Sequence, residues 1–401
     1  MPENFQPFSF LCQTWLEFGA GSAGRVGELV RDLGLRSVLV VTGTGATKDS
    51  AGFASMVSSL DGCGIEYETF PRVTPDPEAE LVREATARIL EGGRQAVVAY
   101  GGGSPIDCAK SAALSAANGV DILDFVYGRV TPRKPALPII AVPTTAGTGS
   151  EMSSAAVTTD RQAKRKLGYS HQSFFPRLAV IDPETHLTLP PAVTAATGMD
   201  ALTHLVESYL SLGANPASDA INLHCVRLIG ANLEKAWRDG SDLEARSGMA
   251  IASALAGAAF SNTGLGMVHG FAHPVGARFG TAHGLANAIL LPYVLAALVG
   301  FTPKRMDDLA EAFGLPADHD DPGTAGQTFV RALRELTAAL GVPERLADLG
   351  MTESDLADIL PDALSYRMRA RSPRPFTDDE LARLLRAAWS GDFLEAENLK
   401  P

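Results

Sequence analysis

Three of the eight histidines in this chain fall within fifteen residues, in a segment from Met267 to Pro292 that reads MVHGFAHPVGARFGTAHGLANAILLP. His269, His273 and His283 are separated by four and ten residues. Imidazole is the commonest protein ligand for borderline transition metals and the usual proton carrier near neutral pH. The segment lacks the apolar periodicity that would explain three histidines as packing residues. It therefore predicts a metal site or a proton-transfer site.

A second pair of candidate ligands, Asp200 and His204, stands four residues apart in GMDALTH. On a helix, that spacing puts both side chains on one face. In isolation, Asp200 could cap the helix and His204 could be an ordinary surface residue. Together with His269, His273 and His283 they supply one carboxylate and up to four imidazoles, which suits Fe²⁺, Zn²⁺, Mn²⁺ or Ni²⁺ and disfavours Ca²⁺ or Mg²⁺. Four protein ligands and one open position would let the metal polarise a substrate oxygen, but spacing alone does not choose which histidine is left out.

A candidate phosphate site lies in YGGGSPID, from Tyr100 to Asp107, directly after the apolar run AVVAY. Three consecutive glycines allow backbone N–H groups to approach a pyrophosphate closely, and the start of the following helix adds partial positive charge. Ser104 could equally be a helix N-cap, with Pro105 at the first helical position. That alternative does not explain the three glycines, so the motif favours phosphate binding.

A second loop of small polar residues, PTTAGTGSE from Pro143 to Glu151, follows the apolar run IIAV. By itself it could be a simple polar turn. Its expected position, at the same sheet edge as GGGS, favours a nucleotide site that the two loops share.

An earlier glycine motif, formed by Gly19, Gly21 and Gly24, matches G-x-G-x-x-G. A dinucleotide fingerprint also needs an acidic residue about twenty positions later. Here that region reads VVTG, from Val40 to Gly43. We interpret the motif as a tight turn at a strand end.

These motifs must be held by regular elements, and the first half of the chain alternates predicted strands with predicted helices. The strands are Ser37 to Thr42, Glu66 to Phe70, Ala96 to Tyr100, Ile139 to Val142 and Leu178 to Ile181. The helices are Ala79 to Leu90 and Pro105 to Ala117. This alternation predicts a mostly parallel sheet, with ligands bound beyond the carboxyl ends of its strands.

After about Pro190 the pattern becomes helical throughout, beginning with prolines suited to the first turn of a helix. Further predicted helices are Ala245 to Phe260, Lys304 to Ala312, Gly326 to Leu340, Ser354 to Ala363 and Thr377 to Trp389. The predicted architecture is an α/β nucleotide-binding domain over residues 1–185 and an all-α domain over residues 186–401 that carries the metal ligands, with the boundary near residues 183–190. A chain of 401 residues is long enough for two such cores, with a cleft between them.

The composition excludes several classes of partner. With 34 basic and 46 acidic residues, the net charge of −12 argues against nucleic acid and anionic membranes. The N-terminal sequence predicts no signal peptide, and no apolar run of about 18 residues predicts a membrane helix. Four scattered cysteines, Cys12, Cys63, Cys108 and Cys225, predict reduced thiols, and so the cytoplasm is the expected compartment.

Taken together and in this order, GGGSPID, PTTAGTGSE, GMDALTH and GMVHGFAHPVGARFGTAHG resemble the motifs of the iron-containing alcohol dehydrogenases. The resemblance covers nearly the whole chain. It implies metal coordination by Asp200, His204, His269 and His283, with Fe²⁺ as the ion and Zn²⁺ as the alternative. His273 would then stand beside the metal as a catalytic proton relay or substrate-orienting group.

The same resemblance implies an NAD or NADP cofactor and a small alcohol or aldehyde substrate, with hydride transfer between them. It also implies a homo-oligomer, a dimer or larger. The residues expected around the dinucleotide are Gly102, Gly103, Ser104, Asp107, Thr144, Thr145, Thr148 and Lys166.

Two departures from the family pattern bear on specificity. Many NAD-preferring relatives have an aspartate where this chain has Gly43, with Lys48 nearby, so we expect NADP(H) to be accepted. Near the C-terminus, YRMRARSPRP has Ser372 in place of an asparagine and adds Arg367, Arg369 and Arg371. An arginine facing the cleft would select an anionic aldehyde, whereas the other interpretation is a solvated helix end.

Several other activities remain open on the sequence. A hydroxyacid–oxoacid transhydrogenase would keep its nicotinamide bound through turnover, and a maleylacetate-reductase-like enzyme would usually depart from the metal motif. A dehydroquinate-synthase-like lyase also joins a nucleotide domain to a metal. A structural metal protein would instead close its site with the same histidines and would lose its fold on metal removal.

Overall fold

Six parallel strands form the sheet that organises the first half of the chain in the computed structural model, which describes residues 7–163, 165–316 and 323–399. The strand order is β1-β8-β5-β4-β2-β3, and β6 pairs with β7 as a separate antiparallel hairpin. In chain order the strands are β1 Trp15–Phe18, β2 Ser37–Gly43, β3 Glu66–Val73, β4 Ala96–Gly101, β5 Ile139–Pro143, β6 Ala155–Asp160, β7 Arg165–Ser170 and β8 Leu178–Ile181. The predicted parallel sheet is confirmed.

The central strands are apolar on both faces because helices cover both sides of the sheet. The helices of this half are α1 Val26–Asp32, α2 Ala51–Gly62, α3 Ala79–Glu91, α4 Gly103–Asn118 and α5 Ile122–Val126. Val38 and Val40 pack towards α1 and α2, whereas Leu39 and Val41 pack towards α3 and α4. The edge strand β1 and the hairpin were not predicted, since their residues are only partly buried and lack a continuous apolar run.

The two small-residue loops meet at one edge of this sheet, as predicted. Strands β4 and β5 are neighbours, and their register pairs Gly101 with Pro143, the last residue of each strand. The backbone N–H of Thr144 donates to the carbonyl of Gly101 over 3.0 Å. The loop after β4 and the loop after β5 therefore leave the sheet side by side.

The early glycine motif is a turn at the end of β1, which confirms the sequence interpretation. Gly21 has φ of 77° and lies at the start of a short 3₁₀ turn. The N–H groups of Gly21 and Ala23 both donate to the carboxylate of Asp182 over 3.0 Å. That carboxylate occupies the place that an anionic phosphate would need.

The second half of the described chain is helical, as predicted. Its helices are α6 Pro191–Leu210, α7 Pro216–Arg238, α8 Leu243–Thr263, α9 Met267–Phe279, α10 His283–Ala296, α11 Pro303–Ala312, α12 Thr324–Ala339, α13 Leu356–Leu364, α14 Asp378–Ser390 and α15 Phe393–Glu397. Alanines of α8, including Ala250, Ala254 and Ala258, pack against Ile181 of the sheet. This contact joins the helical half directly to the α/β half.

Among the described residues no single helix is long and apolar enough to cross a membrane. Helices α8 and α9 meet the length and composition of a span only as a pair, with a bend of 108° between them.

Candidate metal centre and nucleotide cleft

The candidate ligands come from three helices of the second half. Asp200 and His204 lie on α6, His269 lies on α9, and His283 begins α10. One ligand atom from each residue lies within 4.8 Å of the others. Asp200, His204 and His269 are buried, and the side chain of His283 is 30% exposed, so the cluster is open on one side.

Close packing of α10 on α6 brings His283 to Asp200. A methyl group on Gly284 would lie 2.2 Å from the carbonyl oxygen of Ala196, so the helices could not approach this closely with a side chain there. As a result, Nε2 of His283 is 3.7 Å from Oδ1 of Asp200. Residues more than eighty positions apart in the chain thereby present adjacent donor atoms.

Glu207 sets the orientation of His269. Nδ1 of His269 lies 2.5 Å from Oε2 of Glu207, and the other carboxylate oxygen accepts the N–H of Val268 over 2.7 Å. Burial, together with the surrounding imidazoles, lowers the pKa of His269 well below its usual value, and burial raises the pKa of Glu207 to about 8. With Glu207 ionised, the proton of the neutral ring sits on Nδ1, and Nε2 is then free to bind a metal.

His204 is oriented by the loop after β5. Its Nδ1 lies 3.3 Å from the carbonyl oxygen of Gly147, which can only accept, so the proton sits on Nδ1 and Nε2 is free. Burial lowers the pKa of this ring as well. Phe260 stacks against it with ring centroids 4.7 Å apart. A residue of the loop after β5 therefore directly orients a candidate metal ligand.

The donor set fits a divalent transition metal. Nδ2 of Asn287 lies 2.7 Å from Oδ1 of Asp200, 3.3 Å from Nε2 of His269 and 3.2 Å from Nε2 of His283. An amide NH₂ carries two hydrogens and cannot serve three acceptors at once. At least one of these acceptor atoms therefore lacks a hydrogen from Asn287. Imidazole nitrogens and carboxylate oxygens that converge in this way are the ligand atoms that Fe²⁺ and Zn²⁺ bind.

His273 lies beside this set without belonging to it. Its ring centroid is 5.8 Å from that of His269 and 5.3 Å from that of His283. Burial first, then the charges of His283 and Lys166, lower its pKa to about 3. Tyr366 packs edge-on against it with centroids 5.6 Å apart.

The glycines after β4 and the threonines after β5 are in contact. A methyl group on Gly103 would lie 2.7 Å from Thr148, and one on Gly102 would lie 3.1 Å from Oγ1 of Thr145. Gly102 is the N-cap residue of α4, and no side chain bonds the first turn. The interpretation of Ser104 as the N-cap is therefore wrong, and the first N–H groups of α4 have no capping side chain, which leaves them available to a phosphate.

Asp107 holds these two loops together. Its carboxylate accepts from Oγ of Ser150 over 2.5 Å and from the N–H of Val157 over 2.9 Å, and burial raises its pKa. The neighbouring Lys110 is fully buried and donates to the carbonyls of Ser153 and Ala155. Asp107 thus uses both of its carboxylate oxygens to bond Ser150 and Val157, and the family resemblance also assigns it to the dinucleotide.

Gly43 and Lys166 are two further expected cofactor contacts, and Lys48 is near Gly43 in the sequence. Gly43 ends β2, and a methyl group there would meet only Val73 O at 3.5 Å and Pro105 at 3.9 Å, so the position has room for a side chain. Nζ of Lys48 is 3.7 Å from Asp49. Nζ of Lys166, on β7, is 2.6 Å from the carboxylate of Asp76.

The added arginines lie in a 3₁₀ turn, Arg367–Arg371. Arg369 is 2.7 Å from the carboxylate of Asp378 and 2.5 Å from the carbonyl of Phe376, so its guanidinium is held by its own segment. A methyl group on Gly264 would lie 3.2 Å from Cγ of Arg371, which puts that stem beside the end of α8. The residue of this segment that touches the histidine cluster is Tyr366.

Sequence reasoning missed Glu207, Asn287 and Tyr366. Glu207 stands three residues after His204, and Asn287 stands four after His283, so both share a helix face with a ligand. The spacing that identified Asp200 with His204 could have found these two. Tyr366 had no such signal, since only tertiary packing brings it to the histidines.

Comparisons with known proteins identify one family over both halves of the chain. Residues 14–183 match the family model "Iron-containing alcohol dehydrogenase", and residues 194–389 match "Fe-containing alcohol dehydrogenase family, C-terminal". The 1,3-propanediol dehydrogenase of Citrobacter freundii is 37% identical over 96% of this chain and 100% of that protein. A solved 1,3-propanediol oxidoreductase is 36% identical with a TM-score of 0.91, over 96% of this chain and 100% of that chain. A sulfoacetaldehyde reductase from Bifidobacterium kashiwanohense, solved in complex with NAD⁺, is 28% identical with a TM-score of 0.86, over 96% and 99% of the two chains.

Proposed function

This chain belongs to the family of iron-containing alcohol dehydrogenases, and from that premise we propose that it interconverts a small alcohol and its aldehyde, with a nicotinamide dinucleotide as the hydride carrier. The observation that carries the proposal is the contact between Gly147 and His204. Because that contact joins the nucleotide loop to the metal ligands, a dinucleotide on the loop and a substrate at the metal would be neighbours.

We propose that Asp200, His204, His269 and His283 hold a divalent metal, Fe²⁺ or in its place Zn²⁺. When bound, the metal supplies Lewis acidity towards the substrate oxygen. The chain's own residues orient the ligands and shield the site. Glu207 fixes the ring of His269 and Gly147 fixes that of His204, while burial excludes water from the inner face of the site. His273 is proposed to exchange a proton with the substrate oxygen or to orient it.

The dinucleotide is proposed to lie along the shared sheet edge, with its pyrophosphate at the uncapped start of α4. The proposed contacts are Gly43, Gly102, Gly103, Ser104, Thr144, Thr145, Thr148 and Lys166. Asp107 is proposed to lie beside the dinucleotide as well, while its carboxylate joins the two loops. The protein's contribution to hydride transfer is then alignment of the two reactants.

We propose that NADP(H) is accepted beside NAD(H). The room around Gly43 supports this, since no carboxylate stands there to repel a 2′-phosphate. In Gly43→Asp, kcat/KM with NADPH should fall about tenfold or more relative to that with NADH. A wild-type protein that already uses NADH far better than NADPH would overturn this part of the proposal.

We propose an uncharged substrate. Arg369 is paired within its own segment, and Lys166, whose charge acts on His273, is paired with Asp76. Tyr366 and Phe260 add aromatic surface beside the histidines. Propanal should therefore be turned over with higher kcat/KM than glyoxylate or sulfoacetaldehyde, and the opposite order would favour an anionic substrate.

The division into domains 1–185 and 186–401, a homo-oligomeric state and a cytoplasmic location are parts of the same proposal. Strand β1 is an edge strand with Trp15 and Phe18 exposed, which supports contact with another copy. The cysteines Cys12, Cys63, Cys108 and Cys225 are all free, which fits a reducing compartment. Light scattering coupled to gel filtration tests the oligomer.

The deciding experiment is a screen of NADH and NADPH oxidation over small aldehydes. The protein is stripped of metal, reloaded with Fe²⁺ or Zn²⁺, and compared with the stripped form. Metal-dependent oxidation with free exchange of the dinucleotide supports the proposal. A dinucleotide that stays bound while hydroxyacid and oxoacid exchange would indicate the transhydrogenase, and no redox turnover with either metal would overturn the dehydrogenase.

A further inference from the structure

Asp76 has a backbone conformation that side chains rarely adopt. Its φ of 57° makes it the single non-glycine residue with positive φ in the described ranges. It lies in the turn between β3 and α3, flanked by Pro75 and Pro77. Aspartate tolerates this region better than most residues, but its neighbours must still hold it there.

Two contacts hold Asp76, and they lead to different parts of the cleft. Its N–H donates to Oγ of Ser104 over 3.2 Å, which ties the turn to the glycine-rich start of α4. Its carboxylate lies 2.6 Å from Nζ of Lys166 on the hairpin. The backbone of Asp76 is therefore attached to the glycine-rich motif, while its carboxylate points to Lys166.

Lys166 reaches from the hairpin to the helix that carries His269 and His273. A methyl group on Gly276 of α9 would lie 2.9 Å from Nζ of Lys166. The lysine side chain is 9% exposed, whereas that of Asp76 is 43% exposed. The ammonium is thus confined between the nucleotide loops and α9, and its partner approaches it from the open side.

An ordinary exposed ion pair would contribute little. This pair differs because the bond to Ser104 fixes the backbone of Asp76 independently of the lysine, and because the Lys166 ammonium lies beside α9, largely shielded from solvent. An ammonium carries three hydrogens, so donation to Asp76 leaves two for a ligand in the cleft.

We propose that Asp76 is a positioning residue, whose carboxylate holds the Lys166 ammonium where the hydroxyls of the nicotinamide-side ribose bind. The inference rests on the proposed function. Without the carboxylate, the flexible lysine side chain is free to leave this place, and the dinucleotide must order it on binding. Because the proposal assigns Lys166 to the nicotinamide side, binding of the adenosine half should be unaffected.

The test compares NADH with ADP, which lacks the nicotinamide ribose. Binding of each to the metal-loaded full-length protein is measured by titration calorimetry for wild type, Asp76→Asn, Lys166→Met and the double variant. Asparagine keeps the size of the side chain and tolerates positive φ, so Asp76→Asn removes the charge alone. Melting temperatures control for folding.

For Asp76→Asn, Kd for NADH should rise about three- to tenfold, whereas Kd for ADP should change less than about twofold. In the Lys166→Met background the same substitution should have no further effect on NADH. If Asp76→Asn weakened the binding of NADH and of ADP equally, Asp76 would have only a structural role in the turn, and the inference would be overturned. It would also be overturned if Asp76→Asn raised Kd for NADH as much in the Lys166→Met background as in wild type. A wild type that binds neither NADH nor NADPH would instead overturn the proposed function itself.

Discussion

The Nδ1 atom of His269 lies 2.5 Å from Oε2 of Glu207, and both side chains are buried. The same carboxylate accepts the N–H of Val268 over 2.7 Å. One acidic residue, itself outside the four-residue cluster, thereby fixes both the ring of a candidate ligand and the first turn of the helix that carries it. The carboxylate, the imidazole and the proposed metal position form a carboxylate–histidine–metal arrangement.

Replacing Glu207 by glutamine should weaken metal binding about 10- to 100-fold. An amide has one acceptor oxygen, and so either Val268 or His269 loses its partner. Competition with a chromogenic chelator measures the affinity, with Glu335→Gln, at an exposed glutamate, as the matched control. An affinity equal to that of the control would show that Glu207 does not orient the ligand.

Of the three histidines on α9 and α10, we expect His269 and His283 to bind the metal and His273 to lie beside it without binding it. His269→Ala and His283→Ala should lose most of the bound metal, because each removes one of four donors. His273→Ala should keep it, while kcat falls about 10²- to 10⁴-fold if the ring transfers a proton. Metal content by mass spectrometry and turnover of the same preparations check both halves. Loss of metal from His273→Ala would place that ring among the ligands.

Gly257→Ala should disturb the loop after β5. The added methyl group would lie 2.0 Å from the carbonyl oxygen of Gly149. Because this oxygen belongs to the backbone, the loop itself would have to move to relieve the clash. Overpacking of this kind costs about 1–3 kcal/mol, and the shift should also raise Kd for NADH, because Thr148 lies on the same loop.

Gly62→Ala is the matched control for this change, since a methyl group at that helical glycine meets nothing within 4 Å. It should leave both the melting temperature and the NADH affinity close to wild type. If Gly257→Ala behaves like Gly62→Ala, the loop does not depend on this contact.

His186 should make the protein less stable in acid. It is buried, its Nε2 lies 3.3 Å from the carbonyl of Pro143, and burial lowers its pKa from 6.5 to about 4. The folded state then binds fewer protons than the unfolded state, so the contribution is present above pH 6.5 and is lost as the pH falls through 4. It amounts to about 3 kcal/mol across that window.

Urea unfolding between pH 7 and 4 measures this dependence. His186→Gln retains a donor towards Pro143 without a titrating ring, and its free energy of unfolding should fall less with acid than that of wild type. His224→Gln, at an exposed histidine, controls for the loss of a histidine as such. Parallel pH curves for wild type and His186→Gln would refute the assignment.

Much of the scaffold followed from local patterns. The strands β2, β4, β5 and β8 begin at the predicted residues. Their sequences are short, continuous apolar runs between turn signals, a pattern typical of buried strands. The predicted helix from Ser354 instead begins at Leu356, since Thr352 and Asp355 form a capping box in the turn before it. Strands that are half exposed, such as β1, carried too weak a pattern to predict.

The sequence by itself determined the kinds of donor, the helix face shared by Asp200 and His204, and the two loops at one sheet edge, because all of these depend on spacing within an element or on neighbouring strands. Spacing left open which histidine stands outside the four-residue cluster, and the family resemblance implied His273; the tertiary structure places His273 there and turns Arg369 to Asp378. Both depend on where separate helices cross, for example where Gly284 lets α10 meet α6 at Ala196. Such contacts join residues distant in the chain, and no periodicity within either segment encodes them.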